Sequence, residues 1–257
     1  MLKSKQNIVF RILLICVFLS FSCSLFAQVV NIEKKRVSDT IGLQGDVLLS
    51  LDLTSNISKI FLFKNDIQLQ YMRNRNTFLF FNNITYVKAA GQNFINSGFQ
   101  HLRYNYNFKP HFLQAECFTQ YQYNLINKVQ SRFLLGGGPR FSFIDSARIQ
   151  LILGPLFMYE NEKLTSENVH SGRMRMSTYI SFNYQLTKIL NFSHITYYQP
   201  DLKNFSDYRI ASETNLKIKI SDKLSIKLIY VLNYDSDPPL QIPSLVYSLS
   251  NALNYSF

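Results

Sequence analysis

The chain has 257 residues, 15% of them aromatic but none Trp, with three cysteines and a formal net charge of +11. A basic chain of this length raises nucleic-acid binding, yet it holds no helix-turn-helix, zinc-finger or nucleic-acid-binding aromatic motif. After residue 27 no apolar run reaches the 18 residues of a spanning helix, which excludes a helical membrane protein but not a β-barrel, whose alternation cancels in any hydropathy average.

Residues 1–27 read as an export signal. Lys3, Lys5 and Arg11 supply the positive start, Ile12 to Phe18 the apolar core, and Leu25-Phe26-Ala27 the cleavage site before Gln28. A rival reading makes Cys23 a lipidated N-terminus, although Ser20-Phe21-Ser22 lacks the usual Leu of a lipobox. Cleavage removes Cys16 and Cys23 and leaves Cys117 alone, so neither an intrachain disulfide nor a cysteine metal cluster is expected. It also leaves 24 of the 27 basic residues against 16 acidic ones, a net charge of +8. That excess suits a positive lumen or contact with anionic lipid head groups.

Residues 28–42 form a periplasmic leader, and a barrel is expected over 43–257. Alternating patterns predict strands at 43–54, 59–72, 76–88, 97–108, 111–124, 129–143, 147–160, 172–186, 189–199, 208–220, 223–234 and 245–257. Every second connection is tight: Arg73-Asn74-Arg75, Lys109-Pro110, Ile144-Asp145-Ser146, Thr187-Lys188 and Ser221-Asp222. Longer polar loops are expected from Ala89 to Asn96, Asn161 to Ser171, Pro200 to Asp207 and Asp235 to Ser244. The expected fold is therefore all-β: a transmembrane antiparallel up-and-down barrel of about twelve strands, with short periplasmic turns and longer external loops.

Because the strand repeat is two residues, each strand sorts its side chains onto two faces. One face carries Leu102, Tyr104, Tyr106 and Phe108, then Leu113, Ala115, Cys117, Thr119, Tyr121 and Tyr123. The other carries His101, Arg103, Asn105 and Asn107, then Gln114, Glu116, Gln120 and Gln122. Lipid outside and a polar lumen inside account for that division. The last strand places Leu253, Tyr255 and Phe257 in phase with Leu245, Tyr247 and Leu249. This ending is similar to the terminal signal by which assembly machinery recognises bacterial outer-membrane barrels.

Residues 97–162 resemble the outer-membrane proteins grouped as domain-of-unknown-function 481, which includes salt-induced outer-membrane proteins. The matching residues are Gly98 to Tyr106, Glu116 to Asn124, Arg132 through Gly136-Gly137-Gly138-Pro139-Arg140, and Tyr159-Glu160-Asn161-Glu162. Val30-Asn31-Ile32-Glu33 is also similar to the group, and the Phe-Ala-Gln end of the signal resembles Bacteroidetes exports. The resemblance implies an outer-membrane barrel and supplies no activity.

Strand parity puts Asp46, Asp52, Lys64, Asp66, Arg103, Glu116, Arg132, Arg140, Arg148, Glu160, Glu162, Arg173, Arg175, Glu213 and Lys217 in the lumen. Arg103 is expected near Glu116, with Arg132 one strand further on. Charges in a narrow interior must pair or be hydrated. The network is thus either a structural plug or the wall of a pore that favours anions. His101 shares this face as a hydrogen-bonded wall residue, His111 follows a periplasmic turn, and His170 sits in a loop. Gly136-Gly137-Gly138 lacks the Lys-Ser/Thr of a phosphate loop, and with Pro139 marks a break in a strand ladder.

If Leu190, Phe192, Thr196 and Tyr198 face lipid, so does His194, opposite Ser212 or Thr214, an arrangement resembling outer-membrane phospholipases; the opposite parity would turn Asn191 and Ser193 outward instead. Two functions follow. The first is a narrow pore or structural envelope protein with an Arg/Glu-rich lumen, meeting outer-membrane lipid, the barrel-assembly machinery and small solutes or anions. The second is a lipid-modifying Ser/His esterase acting at the lipid-facing wall. Neither needs a cofactor or metal: Asp235-Ser236-Asp237 and Glu160-Asn161-Glu162 lack EF-hand spacing.

Overall fold

The computed structural model describes residues 41–55, 59–89, 92–109, 112–165, 170–221 and 224–255. The export signal, nearly all of the leader, His111 and Phe257 lie outside the described residues. So do the side chains of Asp46, His170, Leu253 and Tyr255.

Twelve strands follow one another in chain order. They are β1 (Gly42–Ser55), β2 (Lys59–Arg73), β3 (Asn76–Ala89), β4 (Gln92–Lys109), β5 (Leu113–Asn124), β6 (Val129–Asp145), β7 (Ile149–Leu164), β8 (His170–Gln185), β9 (Leu190–Pro200), β10 (Tyr208–Lys219), β11 (Leu224–Asp235) and β12 (Leu245–Tyr255). Each pairs antiparallel with its sequence neighbours in the order β1 to β12, which is the expected up-and-down meander. Among the described residues no ladder joins β1 to β12.

Two expected loops are mostly strand. Gln92 and Asn93 pair with Ala89 and Lys88 across a register shift, so the loop expected from Ala89 to Asn96 shortens to a tip. Glu162 and Lys163 likewise pair with Ser171 and His170, which removes most of the loop expected there. The alternating pattern fades in these polar stretches, but each backbone finds its partner on the opposite arm of the hairpin. The long connections that persist are 201–207 and 236–244. The tight ends include Asn74, whose φ of 55° closes the β2–β3 turn.

The sheet rolls toward one face. Tyr179 on β8 reaches Glu116 on β5, and Arg209 on β10 reaches Glu160 on β7. At the loop end Lys128, between β5 and β6, bonds Leu240, between β11 and β12. Six strands of a flat sheet would separate those tips by about 29 Å, so the contact requires strong curvature.

The two faces differ as strand parity requires. Leu43, Leu49, Leu53, Phe78, Leu102, Tyr121, Phe133, Phe157, Ile180, Tyr230, Tyr247 and Leu249 stand exposed on the convex side. The concave side buries Arg103, Glu116, Arg140, Glu160, Glu162, Arg175 and Arg209, packed around Phe118, Leu134, Leu156, Met158, Tyr179, Ile195 and Tyr197. A water-soluble sandwich would show the reverse.

The glycines of β6 and β7 let this interior close. A Cβ on Gly154 would lie 2.2 Å from the Tyr179 ring, and one on Gly138 would lie 2.6 Å from the Pro155 carbonyl oxygen. Between Gly137↔Phe157 and Phe141↔Leu153 the β6–β7 ladder has no paired residues. That register sets Pro139 opposite Pro155, and neither has an N–H to donate. The break expected at Pro139 is there.

Candidate functional site

The inner charges form two groups. In the first, Glu116 of β5 is buried and takes contacts from four directions. Arg103 Nη1 on β4 lies 3.4 Å away and Arg140 Nε on β6 lies 3.6 Å away. Asn105 Nδ2 donates at 3.1 Å, and the Tyr179 hydroxyl donates at 2.8 Å from β8. Antiparallel pairing sets Asn105 opposite Glu116, which brings Arg103 diagonally within reach.

The second group surrounds Glu160 and Glu162, two residues apart on the inner face of β7. Arg209 on β10 donates from Nη1 to Glu160 at 2.8 Å, from Nη2 to Glu162 at 2.9 Å, and from Nε to Asp235 at 2.9 Å. Arg132 on β6 pairs with Glu162 and stands 4.0 Å from Glu160. Arg175 on β8 has no solvent exposure; its Nε is 3.4 Å from Glu160 and its Nη2 donates to Asp207 at 2.8 Å. Arg173 also pairs with Asp207.

Arg103 therefore meets Glu116, with Arg132 one strand further on, on β6, and the β6 arginine that contacts Glu116 is Arg140. Register explains the difference: Glu116 aligns with Gly138 on β6, whereas Arg132 aligns with Glu162 on β7. Arg148 is not in the lumen. It lies exposed in the β6–β7 turn, its guanidinium 5.7 Å from the Tyr184 ring. Sequence reasoning missed Arg209, Asp207 and Asp235. Arg209 lies inside the strand expected at 208–220 and has the parity of Glu213 and Lys217, so parity alone identifies it. Asp207 is a loop residue whose position depends on the tertiary fold.

Six arginines on this wall face five carboxylates: Arg103, Arg132, Arg140, Arg173, Arg175 and Arg209 against Glu116, Glu160, Glu162, Asp207 and Asp235. The wall is close to neutral. Aligned Arg and Glu side chains at these distances cancel most of each other's field, which weakens the expected preference for anions.

His101 packs against Phe99 and Phe118, with ring centroids 5.9 and 5.4 Å away, and its Nδ1 lies 2.9 Å from Gln120 Oε1. Toward β1, and toward the β10–β11 turn on the other side, the inner face is different. Lys64 shares the face of Gln70, which aligns with Leu79 and through it with Arg103. Yet Asp52, Lys64 and Lys217 are exposed, and Asp66, Glu213 and Lys227 are half-buried. These side chains are wet where the Arg/Glu wall is dry.

Ile195 and Tyr197 of β9 are buried on the inner face, which places His194 on the convex face. Its Nδ1 is 2.8 Å from Thr214 Oγ1 and its Nε2 is 2.9 Å from Thr196 Oγ1. Thr196 donates to Ser212 Oγ at 3.1 Å, so Ser212 bonds a threonine and not the imidazole. Threonine hydroxyls occupy both ring nitrogens. In this arrangement no carboxylate orients the ring, and the esterase reading gains no support.

Leu253 and Tyr255 align with Ile226 and Leu224 on β11, which places the proposed assembly signal in the final ladder. Three of the four carboxylates weighed for calcium are engaged by arginine, Glu160, Glu162 and Asp235 all by Arg209, and Asp237 is exposed.

Comparison with known proteins gives one family match. The model described as "Protein of unknown function, DUF481" matches residues 49–257. A search of curated proteins finds no match. Among solved structures, a NanC porin in a rhombohedral crystal form is similar at 6% identity and a TM-score of 0.49, covering 81% of this chain and all of that one.

Proposed function

Because this chain belongs to the DUF481 family of proteins of unknown function, we propose its role from geometry: a narrow, low-conductance pore of the bacterial outer membrane. The supporting observation is the split of the inner face into a dry, ion-paired half and a wet half. Eight-stranded barrels are filled by their own side chains, whereas about sixteen strands hold a water channel. With twelve strands, the packed wall between β4 and the Arg209 end of β10 takes up part of the lumen and leaves a polar passage beside Asp52, Lys64 and Asp66 and beside Lys217 at the other end of β10.

The outer-membrane location is part of the same reading. An apolar convex face matches lipid, and a polar concave face matches water. In hydrocarbon the edges of β1 and β12 must satisfy their own N–H and C=O groups, so these strands pair with each other in the membrane. Residues 1–27 direct export, and the ending Leu253, Tyr255 and Phe257 engages the assembly machinery. The passing solutes are small ions of either sign, since the wet half carries Lys64, Lys217 and Lys227 against Asp52, Asp66 and Glu213.

Near-complete burial of Glu160 and Arg175 favours a second reading, a closed structural barrel. Single-channel recording of the refolded mature protein in planar bilayers separates the two. The pore predicts small, steady openings that enlarge in Arg103→Ala and Arg132→Ala. Silence from a barrel shown to be folded leaves the structural reading.

A further inference from the structure

The connection from β11 to β12 lies across the mouth of the roll. Its 236–244 segment contains Pro238, Pro239 and Pro243, which limit its freedom. Both ends are tied down: Ser236 N donates to Tyr208 O at 3.0 Å, and Asp235 N to Ser244 O at 2.8 Å. Its far point meets the opposite wall. There Lys128 Nζ donates to Leu240 O at 2.7 Å and to Gln241 Oε1 at 2.8 Å. Pro238, Pro239 and Ile242 on this segment and Gln122, Tyr123 and Arg132 on the wall line a partly open cavity of about 90 Å³.

Lys128 is itself well anchored. Its N–H donates to Leu125 O at 3.2 Å, and its carbonyl accepts from Thr165 N at 2.8 Å. Its φ is 58°, and Gln241 at the far point has φ 69°. Non-glycine residues in this region carry a conformational cost, which other contacts must offset. A contact that spans the mouth, built from two such residues, closes more than a loop.

We propose that residues 236–244 are a strap over the external mouth, held shut by Lys128 and opened when the Lys128 contacts break. The strap controls access from outside to the cavity and to the inner wall beneath it. Its acceptors are a backbone carbonyl and a side-chain amide, both uncharged, so no carboxylate needs to titrate for it to open. The inference rests on the reading that the interior faces outward at this end, but its test does not depend on conduction.

The test is the rate at which a membrane-impermeant maleimide labels Gln122→Cys, under the strap, in a Cys117→Ser background. The folded protein reconstituted in vesicles is used throughout, and folding is checked by heat-modified gel mobility. Lys128→Asn removes the ammonium while keeping a residue that tolerates positive φ. Two exposed hydrogen bonds from a charged group predict labelling about twofold to fivefold faster in Lys128→Asn. Lys128→Arg, which keeps the donor, should label near the parent rate. Pro238→Gly with Pro239→Gly loosens the strap from its own side and should also accelerate labelling. Equal rates in the parent, Lys128→Asn and the double glycine variant would overturn the strap, as would labelling of the parent at the rate of a free surface thiol.

Discussion

Removing Glu160 tests whether the buried network holds the roll together. In Glu160→Ala, Arg209 loses its two bonds to Glu160 but keeps Glu162 and Asp235. Arg175, with no exposure, loses its 3.4 Å contact and keeps Asp207. Arg132 loses a 4.0 Å contact only. Breaking one partner of a buried pair costs about 3–5 kcal/mol, because the other charge stays buried. The surviving carboxylates put this case at the lower end, about 3 kcal/mol. Urea titration of the folded barrel, followed by far-ultraviolet circular dichroism, should show a midpoint lower by about 1–2 M. Lys64→Ala, on the wet side, should change stability by less than about 1 kcal/mol. A double-mutant cycle with Arg209→Ala should return a coupling of about 1–3 kcal/mol. The reasoning fails if Glu160→Ala folds and unfolds within about 0.5 kcal/mol of the parent, since those arginines would then be hydrated and not paired.

Three further outcomes follow from the same geometry. Tyr179→Phe deletes the 2.8 Å hydroxyl bond to Glu116 and should cost about 1.5–3 kcal/mol in the same titration. Gly154→Ala puts a methyl 2.2 Å from a Tyr179 ring that is fully buried. Overpacking of this kind costs about 1–3 kcal/mol or blocks folding, read as lost gel-mobility shift. His194→Ala should leave phospholipid hydrolysis at the buffer background in both parent and variant, because the ring that meets Thr214 and Thr196 has no carboxylate among its hydrogen-bond partners to orient it as a base. Hydrolysis in the parent that the substitution abolishes would restore the esterase reading.

The alternating pattern alone determined the number of strands, their order and which way nearly every side chain points. The reason is local: a two-residue repeat assigns a face to each residue regardless of what lies across the roll. That is why Arg103, Glu116, Glu160 and Arg175 were readable as inward, whereas β9, with polar residues at both parities, left His194 open until burial of Ile195 and Tyr197 set it outward. It also explains the misplacement of Arg148, where parity was carried past the end of a strand into a turn.

Which charges meet was decided by the tertiary structure. Register set Arg140, and not Arg132, beside Glu116, and aligned Arg132 with Glu162. Curvature brought Arg209 to Glu160 and Tyr179 to Glu116 across intervening strands. Loop geometry delivered Asp207 to Arg175 and Leu240 to Lys128 across 112 residues. Such contacts depend on register, twist and loop path summed over many residues, and a local repeat carries none of these.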